Sequence, residues 1–183
     1  MGLDMYLYAS RYISGWSHRV EPEYQKLIDI TQLTPCKDSP SFSVEATVGY
    51  WRKANAIHSW FVKNVQEGRD ECQRAYISRE KLGELRATCH KVLDSVEMVE
   101  GKVNEGQTLY PDGRVEEHER DGNVVAQVGI ASAILPTQEG FFFGKTSYDE
   151  DYLQDINDTI RIIDHVLNDP HMQDCEFYYR SSW

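Results

Sequence analysis

The sequence predicts an α+β protein: a small, mostly antiparallel sheet that includes the N- and C-terminal strands, with about three helices packed on it. Three observations carry this expectation. Residues 3–8 alternate apolar and polar side chains, two long segments (79–98 and 147–169) repeat apolar residues at helical spacing, and the closing residues 175–183 are short and aromatic-rich. A chain of 183 residues holds all of them in a single domain, 1–183.

Each element has its own justification. Leu3, Met5 and Leu7 fall on one side of a first strand, with Asp4, Tyr6 and Tyr8 on the other. Residues 11–42 are irregular, broken by Gly15, Pro22, Pro35 and Pro40, around a possible short helix from Pro22 to Ile30. From about Thr47 to Val65, Tyr50, Ala54, Ile57 and Phe61 recur every three or four residues, which predicts a helix. Trp51, Asn55 and His58 form a second stripe on it, beside Arg52 and Lys53. A plain core-facing helix follows from Arg79 to Met98, with Leu82, Leu85, Cys89, Val92 and Val96 inward.

Between Glu100 and Val128, Gly101, Gly106, Asp112-Gly113 and Asp121-Gly122 read as hairpin turns or a mobile excursion. Val124 to Leu135 is apolar and small, and suits a buried strand ended by Pro136. Phe141, Phe142 and Phe143 read as a short strand of buried rings. Ser147 with Glu150 makes a capping box for the last helix, which Asp169-Pro170 closes; its buried face is Leu153, Ile156, Ile160, Ile163 and Leu167. First and last strands pair in one sheet, since both ends would otherwise fray.

The composition narrows the function classes. Lys and Arg number 19 against 30 Asp and Glu, a net charge of -11, which disfavours sequence-independent attraction to nucleic acid or anionic lipid. No segment reaches eighteen apolar residues, so no membrane span is expected, and residues 1–8 do not read as a secretory signal. The N-terminus also fails the myristoylation pattern, because Tyr6 stands where Ser or Thr belongs. Cys36, Cys72, Cys89 and Cys175 form no CxxC pair and fit reduced thiols in a cytosol; a zinc site from Cys72, Cys89 and His90 matches no ligand spacing. No cofactor or metal is expected, and the sequence sets no oligomeric state.

Two constellations could bind a ligand. Residues 49–61 bring Arg52, Lys53, Asn55, His58 and four aromatic rings together in an acidic chain, what a nucleotide-like anion requires. The plainer alternative leaves Tyr50, Trp60 and Phe61 in the core and Arg52 and Lys53 in solvent. The second is Gly140 to Ser147. Gly144-Lys145-Thr146 has the ending of a phosphate loop, but Glu139 stands where that motif's first glycine belongs. What remains is a glycine-flanked turn before a helix start, able to receive an anion, or simply a capped helix. The expected binding set is Trp51, Arg52, Lys53, Asn55, His58, Phe142, Lys145 and Tyr148. The carboxylates Asp149, Glu150, Asp151 and Asp155 could serve acid–base work or Mg²⁺, though acids in a first helical turn ordinarily complement the dipole. There is no GxSxG elbow and no triad, so no catalytic residue is assigned.

Four blocks together resemble a family of small uncharacterised proteins found mainly in bacteriophage genomes. They are Gly2-Leu3-Asp4-Met5-Tyr6-Leu7, Gly49 to Phe61 (GYWRKANAIHSWF), Phe141-Phe142-Phe143-Gly144 leading to Tyr148-Asp149-Glu150, and Tyr178-Tyr179-Arg180-Ser181-Ser182-Trp183. The resemblance implies a phage accessory protein acting in the host bacterial cytoplasm, and it carries over no catalytic residue. The leading expectation is a non-enzymatic binder of a small anionic ligand, a nucleotide signal of host defence. An acidic inhibitor that mimics nucleic acid and blocks a host protein comes second, with Glu116, Glu117, Glu119 and Asp121 as its acidic run. A nucleotide or phosphodiester hydrolase using His58 with an acid of the last helix comes third.

Overall fold

The computed structural model describes residues 2–183; Met1 lies outside the described residues. The architecture is α+β, with a four-stranded sheet in the order β2-β1-β6-β3 and a separate two-stranded ribbon. The sheet strands are β1 (Asp4–Ser14), β2 (Ser41–Arg52), β3 (Ala75–Ile77) and β6 (Glu176–Ser182); β4 (Met98–Leu109) and β5 (Val115–Val125) form the ribbon. The helices are α1 (Pro22–Thr31), α2 (Asn55–Asn64), α3 (Arg79–Leu93), α4 (Val128–Ile134) and α5 (Glu150–Asn168).

The first and last strands pair directly, in antiparallel register from Asp4 opposite Ser182 to Ser10 opposite Glu176. Period-two alternation sets the two faces. Leu3, Met5, Leu7, Phe177 and Tyr179 enter the core, where the Phe61 and Tyr179 rings stack 3.8 Å apart. Tyr6, Tyr8, Tyr50, Tyr76 and Tyr178 lie on the opposite face, with the Arg74 guanidinium 4.0 Å from the Tyr178 ring and paired to Glu45. Helices α3 and α5 pack against each other, α3 through Leu82, Leu85, Cys89 and Val92 and α5 through Tyr152, Ile156, Ile163 and Val166. Burial pushes the Cys89 thiol up to about 12, as expected for a core cysteine.

Several elements depart from the sequence expectation. The helix expected over 47–65 is a strand to Arg52, a corner at Lys53-Ala54 and a helix only from Asn55. Lys53 adopts a left-handed backbone (φ +59) and Ala54 makes the tight turn that lets the Asn55 amide reach the Lys53 carbonyl at 2.8 Å. Tyr50 and Trp51 therefore point to opposite sheet faces rather than sharing a helix. Val128–Ile134 is a short helix, α4, where a strand is expected; a short apolar run has no period that separates the two. The three phenylalanines form a turn instead of a strand: Phe141 is 96% exposed, Phe142 half-buried, and only Phe143 enters the core.

The last helix begins two residues late. Asp149, not Ser147, is its cap, accepting from the amides of Asp151 and Tyr152 at 3.0 and 3.3 Å, while Ser147 Oγ donates to Asp149. Glu150 turns away to Arg120 on β5. In the ribbon, Asp112-Gly113 makes the hairpin turn, but Asp121-Gly122 lies within β5. Among the described residues no helix is long and apolar enough to cross a membrane.

Candidate functional site

The corner between β2 and α2, the segment 137–147 and the first turns of α5 enclose a cleft of about 370 Å³. That is at the small end of the roughly 300–1,000 Å³ range of ligand pockets. Asn55 builds much of the wall. Its Nδ2 donates to the carbonyls of Phe143 at 3.1 Å and Lys145 at 2.6 Å, and its Oδ1 accepts from the Gln138 amide at 3.0 Å. One buried amide thereby fastens the 138–145 segment to the start of α2. Gly144 completes the fit: its φ is +86, and an added Cβ would lie 3.0 Å from Lys53 Cβ. The Lys53 stem rests on that bare backbone.

Of the eight expected binding residues, four line the cleft: Arg52, Lys53, Asn55 and Lys145. The other four do not. Trp51 is 3% exposed and donates its Nε1–H to Thr159 Oγ1 of α5 at 2.9 Å, so its ring is core and cannot stack on a ligand. His58 is wholly buried on α2. Its Nε2 lies 2.9 Å from the Asp70 carboxylate and its Nδ1 2.7 Å from the Tyr179 hydroxyl, so both ring nitrogens are engaged within the fold. Phe142 lies against Leu3, whose amide donates to its carbonyl at 2.9 Å. Tyr148 packs edge-on to Tyr152 and its hydroxyl accepts from the Thr137 amide.

Sequence reasoning names the cations and, as a separate constellation, the acids Asp149, Asp151 and Asp155; it does not expect the two sets to face each other, nor Glu105 to join them. Glu105 of β4 and Asp149, Asp151 and Asp155 of α5 line the same cleft. Most of these charges are already matched. Arg52 pairs with Asp4 at 3.3 Å, and Glu105 with Arg120 at 3.0 Å. Lys145 Nζ meets Asp151 at 2.5 Å and Asp149 at 3.6 Å. Burial works against the Lys145 charge, but the hydrogen bond to Asp151 and the two carboxylate charges outweigh it and hold the ammonium above its usual range. The Asp155 carboxylate makes no hydrogen bond or ion pair among the described residues. Burial, with the charges of Asp151, Asp158 and Asp149 added, pushes it up to about 7.

Asp155, one turn beyond Asp151 on the same helix face, is the member of the expected carboxylate set that the fold leaves without a partner among the described residues. Chemically, the site is a small mixed-charge cleft that can hold an ion and its hydrogen-bonding groups. His58 and the acids of α5 do not come together, because Asp70 and Tyr179 occupy both nitrogens of the ring. No family model, curated protein or solved structure matches this chain.

Proposed function

We propose that the chain is a non-enzymatic binder of a small anionic ligand of mononucleotide size, and that the cleft between the β2–α2 corner and α5 is where it binds. The observation that carries this reading is the convergence of Arg52, Lys53 and Lys145, from segments more than ninety residues apart, around one cavity of about 370 Å³. In a chain of net charge -11 the cleft also holds four carboxylates, so what favours an anion there is Lys53, the cation of the three that is in no ion pair among the described residues. In this reading the protein is a phage accessory protein of the host bacterial cytoplasm and its ligand a nucleotide signal of host defence, in keeping with the four blocks that resemble the phage family.

Calorimetric titration of the full chain with a panel of mononucleotides and inorganic phosphate tests it. Binding tighter than about 1 mM, close to 4 kcal/mol of affinity, is expected for at least one, and its loss in Lys53→Glu. If no anion reaches that level, the reading falls.

A second reading, an acidic inhibitor of a host protein, draws on the ribbon. Glu116, Glu117, Glu119 and Asp121 are all exposed on β5, and the ribbon's contacts are overwhelmingly internal, so the acids stand clear of the body. Capture of a host protein at low salt that disappears at high salt would favour this reading, because exposed charges are screened far more than a cleft.

A further inference from the structure

The cleft contains seven charged side chains, and tracing each to its partner leaves two unmatched. Arg52, Lys145, Glu105, Asp149 and Asp151 all sit in ion pairs. Lys53 and Asp155 are in none among the described residues, and they do not pair with each other. The uncharged groups are spoken for as well: Ser147 donates to Asp149, Tyr152 to the Leu135 carbonyl, and Asn55 uses both ends of its amide.

Lys53 holds its place at a cost. A left-handed backbone is unfavourable for a residue with a Cβ, and Gly or Asn would fill the position more readily. The surrounding hydrogen bonds, from its own amide to the Leu3 carbonyl and from the Asn55 amide to its carbonyl, enforce that conformation. The ammonium it carries has no structural partner to justify it. Asp155 is the complementary case: a half-buried carboxylate, crowded by other acids, that no donor among the described residues satisfies.

We infer that the cleft is built for a dipolar ligand, whose anionic group meets Lys53 and whose hydrogen-bond donor, a protonated amine or the paired N–H edge of a guanine, meets Asp155. This rests on the anion-binding reading above and adds the second half of the ligand. A carboxylate offers two acceptor oxygens, which suits an ammonium or two parallel N–H groups and rejects an acceptor edge. A purely anionic ligand would leave Asp155 unsatisfied and would be repelled by it.

The test is calorimetric titration of the full chain at pH 8 with four probes: inorganic phosphate, phosphoethanolamine, guanosine monophosphate and adenosine monophosphate. One of the two donor-bearing probes, phosphoethanolamine or the guanine nucleotide, should bind at least about tenfold tighter than phosphate. Which of them does so identifies the source of the donor. Asp155→Asn should erase that tenfold preference, with phosphate, no longer repelled, bound at least as tightly as by the wild type, whereas Lys53→Ala should weaken every probe. A parallel thermal melt of Asp155→Asn establishes that the variant is folded. If phosphate binds and neither donor-bearing probe is preferred, or if Asp155→Asn keeps the preference, the dipolar inference is overturned and anion binding stands. If none of the four probes binds, both fall.

Discussion

Replacing Asp155 by Asn should stabilise the protein at alkaline pH and leave it unchanged in acid. Burial and neighbouring carboxylates raise this carboxyl from an ordinary 3.8 to about 7. The folded chain therefore holds the proton more tightly than the unfolded one, so stability declines as pH rises from about 4 to 7 and the loss is complete above that window. At about 1.4 kcal/mol for each factor of ten in proton affinity, the full effect would be about 4 kcal/mol. The side chain borders an open cleft, and screening by solvent brings this down to about 2 kcal/mol. For a chain of this length that is a rise of about 4–8 °C in melting temperature. Thermal and urea unfolding of both proteins at pH 8, 6 and 4 measures it. The difference should be largest at pH 8 and close by pH 4. A gap that does not vary with pH, or a wild type more stable than the variant at pH 8, would refute the assignment of Asp155 as an unmatched acid.

Trp51→Phe should cost about 2 kcal/mol in urea unfolding, from the lost indole bond to Thr159 and the space left in the core, while ligand affinity stays the same. His58→Ala should destabilise by about 3 kcal/mol, because the Asp70 carboxylate and the Tyr179 hydroxyl both lose their partner; a melting temperature within 2 °C of wild type, roughly 1 kcal/mol, would contradict this. Asn55→Ala should release the 138–145 segment, read as faster amide exchange there with little change in α3, and should weaken any ligand of the cleft.

Much of this fold is legible in the residues, and what is not has identifiable physical causes. Leu3, Met5 and Leu7 alternate so cleanly that β1 could be placed directly, and Leu82, Leu85, Cys89 and Val92 mark α3 with equal clarity. The region 47–65 misleads because Tyr50, Ala54, Ile57 and Phe61 happen to keep helical spacing across a strand, a corner and a helix. The period-two signal of Gly49, Tyr50, Trp51 and Arg52 is there, but it is only four residues long. Ser147 and Asp149 are both good caps two residues apart, and only tertiary contact, Glu150 being drawn to Arg120, decides between them. Within the site, the cations were readable as a run in sequence. Their pairing was not, because Asp4 reaches Arg52 from β1 and Asp151 reaches Lys145 from α5, and which charge remains unmatched is a property of the assembled fold.

The strand order has a consequence for how the chain is made. β3 bonds only to β6, and β6 fills the gap beside β1, so the sheet cannot close until residues 176–182 have left the ribosome. Until then one flank of β1 is an open template of unpaired backbone groups. Chains stalled or cleaved before residue 176 should therefore be sticky and short-lived, a consequence of a topology that pairs strands far apart in sequence.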